Sequence, residues 1–488
     1  MVFPILGANT ESAAYEISNS LRFNDDDSPD LRLALGSSAS GSNTNGTFSF
    51  WIKRGSIAAQ QILYNHYVDA NNYFRINLRA NDAGTAPAGL EIINVSGGSD
   101  AGSRMTNRVF RDVSAWYHIV VSTDSDNSTN EDRVKLYING TRYTDWASTA
   151  TWDSTFKHFN DNTTVFIGTR EGSSQYYDGY ITEVNVIDGV EYDASFFGEF
   201  NTNGVWVPKA YTGTYGNNGH FLQFKQTGTS ANSSGIGADT SGNDKHFTVT
   251  NLAATDIVTD TCTNNYAVMN LLTAGADEPE MREGNLQQYA HGTSDSAGIA
   301  PTIMPDKGKW YVELYLESPS GGDYPFFGIV DQRNLNQKNA NGSKMAAGFE
   351  IDGATNNQSN TFLGSITNTN TGWPTFADND IVQFALDLDN RKLWIGRNGT
   401  YINSGNPASG SNEQLSWTLS TAVGVMMLGY DGGGGGGAQS VWNFGQDGSF
   451  AGKATAQGNA DGNSYGDFYY SPPSGYYALN TKNLAEYG

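Results

Sequence analysis

The chain has 488 residues, enough for about two to four domains that each bury a core. Asp and Glu number 51 against 28 Lys and Arg, and the net charge of −23 repels phosphate backbones and anionic lipid, so nucleic-acid binding is not expected. The single cysteine, Cys262, excludes an intramolecular disulfide and any zinc site with more than one thiolate.

The opening MVFPILGANTESAAYEI has no basic region and no long apolar run, so no signal peptide is expected. No run of about 18 apolar residues follows anywhere, so no membrane insertion is expected. Residues 1–9 read as an apolar arm. From residue 10 to 210, short alternating runs recur: Thr47–Lys53, Asn72–Arg79, Trp116–Ser122, Arg133–Asn139, Thr164–Gly168 and Tyr180–Ile187. Alternation of this kind predicts half-buried strands. Asn139-Gly140 and Asp188-Gly189 are hairpin signals, because Asn, Asp and Gly tolerate positive φ. The block reads as one β-sandwich.

Residues 211–284 are poorer in strands. Gly219–Lys225 predicts one, and the apolar anchors Phe221, Leu222, Phe224, Phe247 and Leu252 predict a segment that packs rather than swings. A second sandwich is predicted over 285–447, from Lys309–Leu316, Pro325–Val330, Ala347–Ile351, Asp380–Leu388, Arg391–Arg397, Val423–Tyr430 and Ser440–Phe444. Asn398-Gly399 supplies another hairpin turn, and the six glycines Gly432–Gly437 a loop. Trp310, Phe327 and Trp394 read as core. The tail, 448–488, is aromatic and should dock on a domain or a neighbouring subunit. The fold class is therefore all-β: two β-sandwiches joined by a packed, β-poor segment.

The residue pattern offers little for catalysis. Glu350 and Asp352 begin the paired-carboxylate run a glycosidase needs, but Thr355 stands where a third carboxylate would, and Asp387 and Asp389 have no third partner. Calcium is the cofactor considered, at Asp25, Asp26 and Asp27 or on the loop of Asp124 and Asp126, which cluster hard oxygens. Sugar binding needs aromatic faces beside amides and carboxylates on strand-end loops. The candidates are Tyr176, Tyr177 and Asp178; Tyr143, Asp145 and Trp146 with Trp152; and Trp373 in the loop Thr367–Pro374, alongside the loop Asn334–Lys344.

The motifs SLRFNDDD (Ser20–Asp27), AWYHIVV (Ala115–Val121), KLYINGTRY (Lys135–Tyr143), FIGTR (Phe166–Arg170) and YDGYITEVNVIDG (Tyr177–Gly189) resemble the concanavalin A-like, laminin-G-like jelly roll. DTSGNDKH (Asp239–His246) resembles a turn of the same domains and suggests a truncated second copy. KWYVELYL, FFGIV, GFEIDG and DIVQFALDLDNRKLWIGRNG are similar to SPRY domains. Nearly the whole chain, from FPILGAN through FFGEFNTNGVWVPKAY to GDFYYSPPSGYYALNTKNL, resembles bacteriophage virion proteins, especially of marine phages, described as tail-fibre-like or as concanavalin A-like lectins. Cys262 departs from a proline expected in that pattern. The resemblance implies a virion-surface protein assembled in the host cytoplasm, with other virion proteins, copies of itself (trimers are common in such fibres) and host cell-surface glycans as partners. Its expected role is receptor binding without catalysis. A capsid decoration or head-fibre protein and a polysaccharide depolymerase are the alternatives.

Overall fold

A computed structural model describes residues 15–35, 41–42, 44–80, 88–153, 163–273, 279–289, 297–318, 326–335, 345–350, 355–357, 363–429 and 439–488. The arm 1–9, the six-glycine run and Asp352 lie outside these residues, as does most of the loop Asn334–Lys344. Strands in antiparallel sheets dominate, as the alternation predicts, and they form two compact units that meet in sequence at Thr263 and Asn264.

In the first unit, one sheet runs from edge to edge through Thr141–Tyr143, Val134–Ile138, Trp116–Asp124, Asn45–Arg54, Gly179–Asp188, Ser20–Phe23 and Ile257–Val258, with His220–Leu222 also paired to Gly179–Asp188. The other runs through Trp146–Thr149, Ser99–Val109, Gly89–Ser96, Asn72–Leu78, Gln61–Asp69, Thr164–Ile167, Asp30–Ala34 and Thr248–Thr250. Phe48, Phe50 and Ile52 from the first sheet meet Leu63, Phe74 and Ile76 from the second in one core. Asn139 and Gly140 adopt φ of 46° and 79°, the two left-handed positions that a tight hairpin demands. Asp188-Gly189 makes no hairpin: Asp188 ends its strand by accepting backbone N–H groups of Ser42 and Asn218.

The strand Asn45–Arg54 alternates in sequence, yet both of its faces are buried. The chain from 190 to 263 covers the outer face. Trp51, Trp116, Tyr180 and Val258 cluster there, with Trp206 against them, and Val120 and Ile187 are covered by Phe197 and Tyr215. Residues 211–263 thus complete the first sandwich, and 264–284 enter the second unit. Asp239–His246 starts no second copy. Asp239 accepts from the N–H of Phe221, Ser241 and Lys245, so the motif is a turn tied back to the strand His220–Leu222.

Two buried polar groups lie under this cover. Lys53 donates to Asp260 across 2.7 Å with both side chains fully buried, and the Trp116 indole also donates to Asp260. Burial pushes the Lys53 ammonium down while the Asp260 carboxylate pushes it back up. His118 is sandwiched near Trp51 and accepts from Trp206 Nε1 at Nδ1, so its Nε2 carries the proton and donates to Ser49 Oγ.

In the second unit, the larger sheet orders Glu280–Arg282, Gln287–Tyr289, Gln439–Asn443, Lys309–Ser318, Ile381–Asp387, Lys392–Arg397, Leu415–Trp417 and Ile366–Asn368. It faces Ala297–Gly298, Val423–Gly429, Phe326–Asp331, Met345–Glu350 and Thr355–Asn357. Trp310, Phe327 and Trp394 are buried, as read from the sequence. The aromatic tail docks on this unit's own sheet: Tyr477-Ala478 pairs in parallel with Trp310-Tyr311, and Phe468 and Tyr476 are buried.

One buried carboxylate ties the tail to this sheet as well. Glu313 accepts from the backbone N–H groups of Tyr469 and Tyr470 at 2.8 and 2.7 Å, from the Tyr311 hydroxyl and from Asn443 Nδ2. Glu313→Gln would aim an amide N–H at other donors. We expect about 2 kcal/mol less stability for the tail contact, read as faster hydrogen exchange at the Tyr469 and Tyr470 amides. Unchanged exchange there would refute this role.

Candidate binding cleft

Among the described residues, a cleft of about 300 Å³ lies in the first unit. It opens where the edge strands of the two sheets approach, Thr141–Tyr143 on one and Trp146–Thr149 on the other, joined only by Thr144 and Asp145. Val134 lies in its floor, the short helix Asn130–Arg133 closes one end, and Arg104 enters from the strand Ser99–Val109.

Tyr143 and Trp146 meet edge to face, with ring centroids 5.3 Å apart, and both line the cleft half-buried. Their positions are fixed from outside. The backbone N–H of Arg108 donates to the Tyr143 hydroxyl at 2.8 Å, and Asn107 donates to Asp145 through both its backbone and its side chain. Asp145 therefore ties the turn between the two edge strands to the strand Ser99–Val109 and is not among the lining residues. The Arg104 guanidinium lies 5.3 Å from the Trp146 ring centre, a cation–π distance. Its Nη2 donates to the carbonyl of Asn130, and burial pushes its pKa down.

Trp152 supports the cleft without lining it. It is fully buried above Gly102, whose backbone approaches so closely that a Cβ would lie 2.4 Å from the indole. Its carbonyl accepts from Asn130 Nδ2 and from Arg133 Nη1, which anchors the short helix. Arg142 pairs with Asp132 at 2.5 Å, and Lys135 pairs with Glu191.

Other sequence candidates fall elsewhere. Tyr177 and Asp178 are buried, so neither offers a face to a ligand. Tyr177 donates to the carbonyl of Lys53 and packs edge-on against Phe23, because the strand that follows starts beneath the chain at Gly55. Tyr176 is half-buried beside them. Trp373 stacks on Phe349 at 4.5 Å and leans on Phe376, so it packs on the second core. Asp25, Asp26 and Asp27 form one turn of 3-10 helix, in which Asp27 accepts from Asn24, and Asp124 accepts from Asn127. Among the described residues no group of three or more His, Cys, Asp or Glu side chains comes together to hold a metal ion. Glu350 ends its strand. Asp387 pairs with Lys309, and Asp389 accepts from the backbone of Gly308, which makes both turn-forming carboxylates.

Among the cleft residues that sequence reading missed is Arg104. Its strand, SDAGSRMTNRV, is polar along its length and carries no apolar alternation.

Residues 27–191 match the model of the concanavalin A-like lectin/glucanases superfamily, and this stretch contains the whole cleft. The first sandwich thus carries a concanavalin A-like, laminin-G-like domain. No curated protein matches the chain. Among solved structures, a carbohydrate-binding protein described as such for Bacteroides ovatus is 11% identical, covers 48% of this chain and 58% of its own, and gives a TM-score of 0.31. Domains LG4-5 of the mouse laminin α1 chain are 9% identical, covering 88% of this chain and 91% of theirs, with a TM-score of 0.29. The SPRY domain of human HERC1 is 12% identical over 36% of this chain and 96% of its own, with a TM-score of 0.24. Among the described residues no helix is long and apolar enough to cross a membrane.

Proposed function

We propose that this chain is a non-catalytic surface protein of a bacteriophage virion, a tail-fibre or receptor-binding subunit whose first sandwich recognises host-surface glycans. One observation carries the glycan reading. In a domain of the concanavalin A-like lectin superfamily, Tyr143 and Trp146 present paired rings in a cleft rimmed by Asn130, Thr144, Thr149 and Thr151. Aromatic faces take the apolar side of a sugar ring, and amides and hydroxyls take its hydroxyls. The virion setting, self-association and virion partners rest on the chain-long motif resemblance. Binding without turnover is supported by the turn roles of Asp387 and Asp389, which leave no carboxylate pair set for glycoside chemistry there.

The test is binding of the full chain to host-surface polysaccharide. Trp146→Ala should weaken binding at least about tenfold, the equivalent of about 1.4 kcal/mol, with the fold unchanged by circular dichroism. No reducing ends should be released. Undiminished binding by Trp146→Ala would move the glycan site elsewhere, and reducing-end release would replace the reading by a depolymerase.

A further inference from the structure

Within the glycan reading of the cleft, on which this step rests, the structure assigns a charge preference: we infer that the cleft takes an acidic sugar, with Arg104 receiving the carboxylate of a uronate-type residue. Three of the lining side chains are cationic, Arg104, Lys135 and Arg142, against one lining carboxylate, the exposed Glu131. This is unusual on a chain with net charge −23. Two of the three cations are already neutralised, Arg142 by Asp132 and Lys135 by Glu191.

Arg104 is not. Its side chain is 5% exposed, yet among the described residues no carboxylate lies within ion-pair distance of it, and its Nε has no hydrogen-bond partner. A buried guanidinium with a donor unused is costly unless something completes it. The two contacts it does make, Nη2 to the Asn130 carbonyl and the guanidinium over Trp146, fix its plane at the cleft wall. Guanidinium groups favour carboxylates because their paired N–H donors match two carboxylate oxygens. A sugar ring at Trp146 with a carboxylate on its rim meets both requirements at once, since Arg104 and Trp146 are in contact. Glu131 and Asp132, the acidic groups of the adjacent short helix, stand on the opposing side of the balance and set a limit on how many acidic residues the cleft accepts.

The test uses the full chain and a panel of uronate oligosaccharides (pectic, alginate and hyaluronate fragments), each beside its carboxyl-reduced neutral counterpart, measured by calorimetry. At least one acidic member should bind about tenfold more tightly than its reduced form. Arg104→Met should erase that preference, and Arg104→Lys should keep part of it. Melting curves identify any variant that fails to fold, and the salt dependence of wild-type binding gives a readout that needs no variant. Equal, Trp146-dependent binding of acidic and reduced forms overturns the charge preference and leaves the glycan reading standing. Absence of Trp146-dependent binding to any sugar, acidic or neutral, overturns both. A preference that survives in Arg104→Met assigns the acid to another cation and refutes the role given to Arg104.

Discussion

Asp260→Asn should destabilise the first sandwich by about 3–5 kcal/mol, because it removes the carboxylate that balances the Lys53 ammonium in a fully buried site. The ion pair sits on the outer face of the first sheet, roofed by the chain that closes the domain. Asp260 there also accepts from Trp116 Nε1, and its carbonyl accepts from Ser20 Oγ at 2.6 Å. Lys53→Met alone leaves the opposite charge buried and should cost a similar amount. The double variant Lys53→Met, Asp260→Asn removes both charges and keeps the volume, so it should recover most of the loss. Hydrogen exchange at core amides such as Val121 reads the change in the intact chain. A cost under about 1 kcal/mol for Asp260→Asn would mean that water reaches the pair, and the roof would then be looser than its packing implies.

The second expectation concerns acid. Between pH 7 and pH 5, the first sandwich should lose about 4 kcal/mol relative to the second. Burial lowers His118 to about 3 and His220 to about 4, and both rings are fully enclosed. An unfolded imidazole titrates near 6.5. The unfolded state therefore binds more protons than the folded state below that value. The stability held by the two neutral rings is intact above pH 6.5 and drains as pH falls, by about 2 kcal/mol for each ring at pH 5. Buried glutamates act in the opposite sense. Glu183 and Glu313 are both pushed up to about 7 by burial, so each loses stability as pH rises toward 7 and regains it on acidification. There is one in each unit, so they cancel in the comparison. The second unit holds no buried histidine among its described residues. Exchange at Val121 and at Leu386, measured at both pH values, compares the two cores. Equal changes would show that the rings are hydrated on opening or paired in the unfolded chain.

Much of the architecture was legible where the apolar period was strict. Trp116–Ser122 and Asp380–Leu388 fall within a residue or two of their observed strands, and the Asn-Gly turns at 139–140 and 398–399 adopt the left-handed pair their residues favour. Strands with mixed faces were harder to read. Gln61–Asp69 buries Asn65 and His66, and Ser99–Val109 is polar and held by pairing to its neighbours, so neither displays the period that marks a strand. The same effect divided the site. Tyr143 and Trp146 stand out as aromatics on a turn, but Arg104 is brought to them by strand pairing, which local pattern does not encode. Tyr177 and Asp178 carried an equally good local signal and are buried, because the covering of a strand's start depends on a distant loop at Gly55.

The cleft is drawn almost wholly from one short stretch of chain: every lining residue except Arg104 lies between Asn130 and Thr151, a stretch that also sends Val134, Leu136 and Ile138 into the core. Such an arrangement lets ligand choice drift by substitution at the cleft-facing positions of one stretch, while its core-facing positions, Val134, Leu136 and Ile138, keep the sheet in place. Diversification of a family built this way would concentrate in that stretch, with Arg104 as the fixed point against which each new surface is tried.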